Sequence, residues 1–178
     1  MADRMAAEIW IGGKLLRSLV ESMPISDLRV DWENTPLASS DEVDILAARN
    51  EDGLLHFADA EIAWGEFQEL EDWLREHIVP FRRRTEGKYE HTPELVEFRP
   101  DLKGTRNRDV YAITSPEGAP MVFASEVETI TTRMAKLADD RKRSATQRVQ
   151  AWEKLFHKLT LVLPPKLPPL PPFEIGDG

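Results

Sequence analysis

The chain of 178 residues contains no cysteine, which excludes disulfides, thiolate metal sites and cysteine nucleophiles together. It has only four histidines, and no HExxH or comparable ligand spacing joins any of them to a metal. Basic residues are in deficit, 23 against 32 acidic ones, and the formal charge of −9 argues against coating of nucleic acid by phosphate neutralisation. No window carries the apolar run that an export signal or a transmembrane helix needs, so the expectation is a cytoplasmic protein without membrane attachment. Glycine is sparse, and no glycine pattern forms a phosphate loop: Gly12-Gly13-Lys14 is followed by Leu15 where a Walker loop needs Ser or Thr, which leaves a tight turn with positive φ. No G-x-S-x-G elbow is present, and no cofactor is implied.

What the sequence does have is an unusual pairing of thirteen prolines with five tryptophans. Tryptophans need a core or an interface, and prolines need extended chain. Glu8 to Ile11 alternates as a strand, Leu15 to Met23 follows at helical spacing, and Leu28, Val30 and Trp32 alternate as a second strand. A short helix from Asp41, a turn at Asn50 to Gly53 and a strand over Leu54 to Ala58 come next. Ala63, Phe67, Leu70, Leu74 and Ile78 then form one stripe of a helix capped by Asp59 and ended by Pro80. Phe81 to Arg84, Leu95 to Phe98, Val110 to Ile113 and Met121 to Phe123 read as further strands, with a turn at Pro116 to Gly118.

The first four strands and two helices come in the split βαβ order, so the predicted fold is α+β, a ferredoxin-like sandwich with extra strands over residues 1–123. A C-terminal helical hairpin packed on it is expected over 124–160, with capping boxes at Ser125/Glu128 and Ser144/Gln147 and a break in the charged run Asp139 to Arg143. Residues 161–178 form a proline-rich segment. At three residues per polyproline turn it lines up Pro164, Leu167, Leu170 and Phe173, a side expected to dock on its own domain or on a twin subunit. Lys166 to Pro172 also fits K-x-x-P-x-x-P, the pattern that SH3 grooves read.

Charge patterning says more about function than any motif. Between Asp41 and Ile78 twelve acidic residues face Arg49 and Arg75, a net of −10, which leaves the rest of the chain about neutral. On the central helix Glu69, Asp72 and Glu76 lie opposite the apolar stripe with Glu66 and Trp73 at its edge, a docking face for a basic protein partner. The expectation is therefore a non-enzymatic interaction or regulatory module, acting on a protein partner or as a homo-oligomer. Two alternatives use the sheet face around Trp10, His56, Arg82 and Arg84: a small-ligand-binding domain or enzyme, or an RNA-binding domain. The latter is disfavoured because the aromatic RNP1 pattern is missing from Leu54 to Ala58. Two histidines have carboxylates placed so as to suggest a site, His56 with Asp59 and Glu61 and His91 with Glu90, Glu94 and Glu97, but on a strand His56 and Asp59 point to opposite faces.

Overall fold

The computed structural model describes residues 3–33, 35–88, 91–100, 109–115, 119–162 and 167–177. Two compact units divide the chain: Met1–Ala119 with Pro168–Gly178 form one, and Pro120–Leu167 the other.

The first unit is built on a five-stranded sheet of β1 (Arg4–Ile11), β3 (Leu55–Ala63), β4 (Phe81–Thr85), β5 (Glu94–Phe98) and β6 (Asp109–Ile113), ordered β3-β1-β4-β5-β6. Every neighbouring pair in it is antiparallel. β1 reads as a strand because its side chains alternate: Met5, Ala7, Ile9 and Ile11 are buried, while Glu8 and Trp10 point to the other face. Ile9, Ile11, Phe57, Phe81, Val96 and Phe98 make one hydrophobic cluster with Phe67, Leu70 and Leu74, so helix α2 (Gln68–Glu76) covers this face. β3 and β4 both run antiparallel to β1 and flank it, so β3-α2-β4 is one split βαβ unit.

The second such unit, which the ferredoxin-like order requires, does not form among the described residues. Leu15 to Met23 forms strand β2 (Gly13–Leu16) and a 3-10 turn over Arg17–Ser22 in place of a helix. Leu28 to Trp32 forms no strand either, only a single bridge between Arg29 and Pro36. The cause is Asp31, whose Oδ1 accepts the N–H groups of Glu33 and Thr35 and turns the chain back on itself, overriding the alternation. These hydrogen bonds hold the Asp31 carboxyl below its ordinary value. Further on, Asp41 caps α1 (Glu42–Ala47) by accepting the Asp44 N–H.

The central helix is shorter than its stripe suggested. Asp59 is not its cap: pairing with β1 carries β3 on to Ala63, and Asp59 accepts the N–H of Glu61 inside the strand. The chain reverses at Trp64 and Gly65, both at positive φ, and α2 starts only at Gln68. Ala63 and Ile78 are consequently exposed, Ile78 at φ +61 just past the helix end.

The C-terminal segment returns to this unit. β7 (Phe173–Gly176) pairs in parallel with β2, Phe173 is fully buried in the core cluster and Leu170 is nearly so, while Leu167 is half-buried. Pro164 lies outside the described residues. The segment passes so close over Gly12 that a Cβ there would run into the Pro171 carbonyl oxygen, and Gly13 at φ +78 donates its N–H to the carbonyls of Pro171 and Pro172. Lys14 donates to the Asp177 carbonyl, so the glycine-lysine string anchors the C-terminal segment.

The second unit is a pair of helices, α3 (Ala124–Ala138) and α4 (Ala145–Val162). Met121 to Phe123 is not a strand but leads into α3, whose N-cap is Phe123. The Ser125/Glu128 box does not form, because Ser125 already lies inside the helix. The Ser144/Gln147 box does form, with Gln147 Oε1 accepting from the Ser144 N–H and the Ser144 hydroxyl from the Gln147 N–H. Ser144→Ala is expected to cost about 1 kcal/mol of hairpin stability, read as faster amide exchange through the first turn of α4. The turn expected at Pro116 to Gly118 lies outside the described residues.

Candidate functional site

The sheet face away from the core collects polar groups by register. Trp10 stands between His56 and Arg82, and Glu8 is opposite Arg84. Trp10 stacks on the His56 ring with centroids 5.2 Å apart. His56 Nε2 lies 3.4 Å from Glu8, Arg84 pairs with the same carboxylate at 3.4 Å, and Arg82 Nε pairs with Glu97 at 2.8 Å. Arg99 closes on the other oxygen of Glu97 through Nη2 and, at 2.7 Å, through Nε. Glu97 and Arg99 are buried, and that burial pulls the Arg99 guanidinium below its usual value against the opposing pull of Glu97. Trp10, His56, Arg82 and Arg84 are thus brought together, but their cations are spent on Glu8 and Glu97. A phosphate backbone needs uncommitted cations. His91 is elsewhere, paired with Asp3 at 3.2 Å and set edge-on to Trp64. Among the described residues no three His, Asp or Glu side chains are close enough to share a metal ion.

Between α2 and the core face of the sheet sits a buried ion pair, of the kind that the run Arg82 to Arg84 and the acidic helix lead one to expect from sequence. Arg83, buried among the core strands, places Nε 2.8 Å from Glu71 Oε1, somewhat off the N–H axis, and donates Nη1–H to the Gly65 carbonyl at 2.8 Å. Glu71 is equally buried; it also accepts from Arg75 at 3.2 Å and from the Phe67 N–H at 3.2 Å. Burial raises the Glu71 carboxyl above its ordinary value, and Arg83 and then Arg75 oppose the rise. A cavity of about 410 Å³ opens beside the pair, with Glu94 and Glu66 at 3.9 and 4.0 Å from Arg83. The strand period turns Arg83 to the face opposite Arg82 and Arg84; what the structure adds is that this face is the core and that Glu71 of the covering helix is the carboxylate that answers it.

The other face of α2 is acidic. Glu69, Asp72 and Glu76 are exposed together with Glu66, and Trp73 is half-buried at their edge with its ring against His77. Alongside the helix start runs a cleft of about 350 Å³ with an apolar wall of Leu28, Ile62 and Trp64 and the carboxylates Asp27, Glu66 and Glu69. Trp64 is 51% exposed and left-handed at φ +58, a conformation that costs a bulky residue about 1–2 kcal/mol. Its N–H donates to the Asp3 carbonyl at 2.8 Å, which fixes it there.

The hairpin is different in charge. Pro120–Leu167 holds nine basic and five acidic residues, net +4, so the remainder of the chain carries −13 and the near-neutral surroundings inferred for the acidic segment hide a basic unit. A groove of about 470 Å³ runs between α3 and α4, floored by Leu137, Ala151 and Leu155 and lined by Arg133, Lys136, Arg143, Lys154 and Lys158, with Asp140 as its one acid. Val149, Trp152 and Phe156 are exposed on α4, the two rings stacked at 5.3 Å. No helix of the described residues is long and apolar enough to cross a membrane.

Compared with protein-family models, with curated protein sequences and with solved structures, the chain matches none.

Proposed function

We propose that the protein is a non-enzymatic interaction module whose acidic α2 face docks a basic protein partner. The observation that carries this reading is the contrast within one unit: Arg82, Arg83 and Arg84 of β4 are committed to Glu97, Glu71 and Glu8, whereas Glu69, Asp72 and Glu76 stand exposed on a single helix face, Asp72 beside Arg75 of its own helix. The cleft beside them suits the partner's chemistry. An aliphatic Lys or Arg stem can lie on Leu28, Ile62 and Trp64 while its cation meets Asp27, Glu66 or Glu69. The held, strained Trp64 supports the same assignment, since strain persists where the surroundings enforce it and clusters at functional positions. The sheet face of Trp10, His56, Arg82 and Arg84 is better explained as a self-neutralised network than as a ligand or RNA surface.

The test is affinity purification from the native cell with the parent and with E69K/D72K/E76K. Recovery of the principal partner is expected to fall by about tenfold or more, with the larger loss at low salt. Trp64→Ala is expected to cost about 2 kcal/mol of the same binding. Unchanged recovery by the triple variant across a salt series would reduce the ridge to a solvated helix face.

A further inference from the structure

The basic groove of the hairpin is the one large cationic surface among the described residues, and two helices cannot close over it by themselves. Among the described residues of the hairpin only Ile130 has a buried side chain; Leu137, Ala151 and Leu155 are half-buried. An apolar floor ringed by exposed cations asks for an acidic surface bordered by an apolar side chain. α2 presents that combination: Trp73 beside Glu69, Asp72 and Glu76, acids spaced over seven residues and hence about 10 Å along the helix. Lys154 and Lys158 on α4 and Arg133 and Lys136 on α3 offer cations at the matching i, i+4 and i, i+3 intervals on the two walls. Glu69, Asp72 and Glu76 are exposed on α2, as are Arg133, Lys136, Lys154 and Lys158 on the hairpin.

We infer that the α3–α4 groove receives the acidic α2 face of a second copy of this chain, so that the protein associates with itself through a heterologous, charge-driven contact. This rests on the reading of α2 as a docking face and names one basic partner for it. A second copy is favoured over a nucleic acid because every copy carries, outside its hairpin of net +4, a unit of net charge −13, opposite in sign to the hairpin of another copy and alike in sign to a phosphate backbone. The contact joins two different surfaces, so it repeats from copy to copy unless the geometry closes it.

Sedimentation of the purified full chain tests this at about 0.01 M salt, where charges act over about 30 Å, and at about 1 M, where they act over about 3 Å. The parent is expected to associate with rising concentration at the low salt and to be monomeric at the high. E69K/D72K/E76K and K154E/K158E, each with the parent's circular dichroism and melting temperature, should be monomeric alone. Mixed one to one they should associate again, because the intact groove of the first variant meets the intact α2 face of the second and the two reversed surfaces are complementary as well. A parent that is monomeric at low salt, or a mixture that stays monomeric, overturns the inference. So does association that survives high salt and is lost in Trp152→Ala, which would put the contact on the exposed aromatic stripe, and so does tighter binding of an oligoribonucleotide than of a second copy at the same groove. A monomeric parent whose α2 variant still loses a cellular partner would sink this inference alone and leave the docking function standing.

Discussion

Deleting residues 168–178 is expected to unfold the α+β unit. The deletion removes Phe173, which is fully buried against the core cluster, and Leu170, which is nearly so, and it strips β7 from β2. Emptying the site of a buried phenylalanine alone costs about 3–5 kcal/mol, against a total stability of about 5–15 kcal/mol for a domain of this kind. Two smaller variants separate packing from backbone pairing. Phe173→Ala should lower the urea midpoint by an amount matching that cavity cost, whereas Gly12→Ala should act through the crossing alone, because its new Cβ meets the Pro171 carbonyl oxygen. An unchanged melting temperature in the truncated chain would show that the C-terminal segment contributes nothing to the fold.

The second large effect concerns the buried ion pair. Arg83→Leu strands the Glu71 carboxylate in the core and is expected to cost about 3–5 kcal/mol. Glu71→Leu strands Arg83 to a similar degree. The double variant should recover most of either loss, because removing both charges also removes both desolvation penalties. A sum of the two single losses in the double variant would mean that the groups are not coupled. The pH dependence has a definite sign. The carboxyl of Glu71 is raised in the folded state, so its contribution to stability is full below the ordinary glutamate value of 4.5 and is lost as pH rises through the raised one. Relative to the double variant, the parent should therefore lose melting temperature as pH climbs out of the acid range.

Much of this architecture was written locally. β1, β4, β5 and β6 show their alternation in sequence, Asp41 and Ser144 are caps that form, and the charged run Asp139 to Arg143 does separate two helices. The misreadings share one cause, which is that a cap or an alternation is a permission and pairing elsewhere decides. Asp59 and Ser125 have capping chemistry, but strand pairing claims the first and an earlier helix start the second. Leu28 to Trp32 alternates, yet Asp31 folds that segment into a turn. The candidate surfaces divide in the same way. The sharing of one face by Arg82 and Arg84 follows from strand period, but the insertion of β1 between β3 and β4, which stacks Trp10 on His56, is a long-range event. Trp64 at its cleft was invisible, because neither its left-handed backbone nor the Asp3 carbonyl that holds it has a local signature.

The docking role of α2 is tested most directly by installing a photo-cross-linking residue at Asp72 and, separately, at Arg82, and irradiating cells that produce each variant. Position 72, on the exposed acidic face, is expected to give protein adducts that weaken as salt is added to a cell extract, and position 82, inside the Glu97 pair, to give none. Adducts from position 82 with none from position 72 would contradict the acidic docking face and move the function to the sheet.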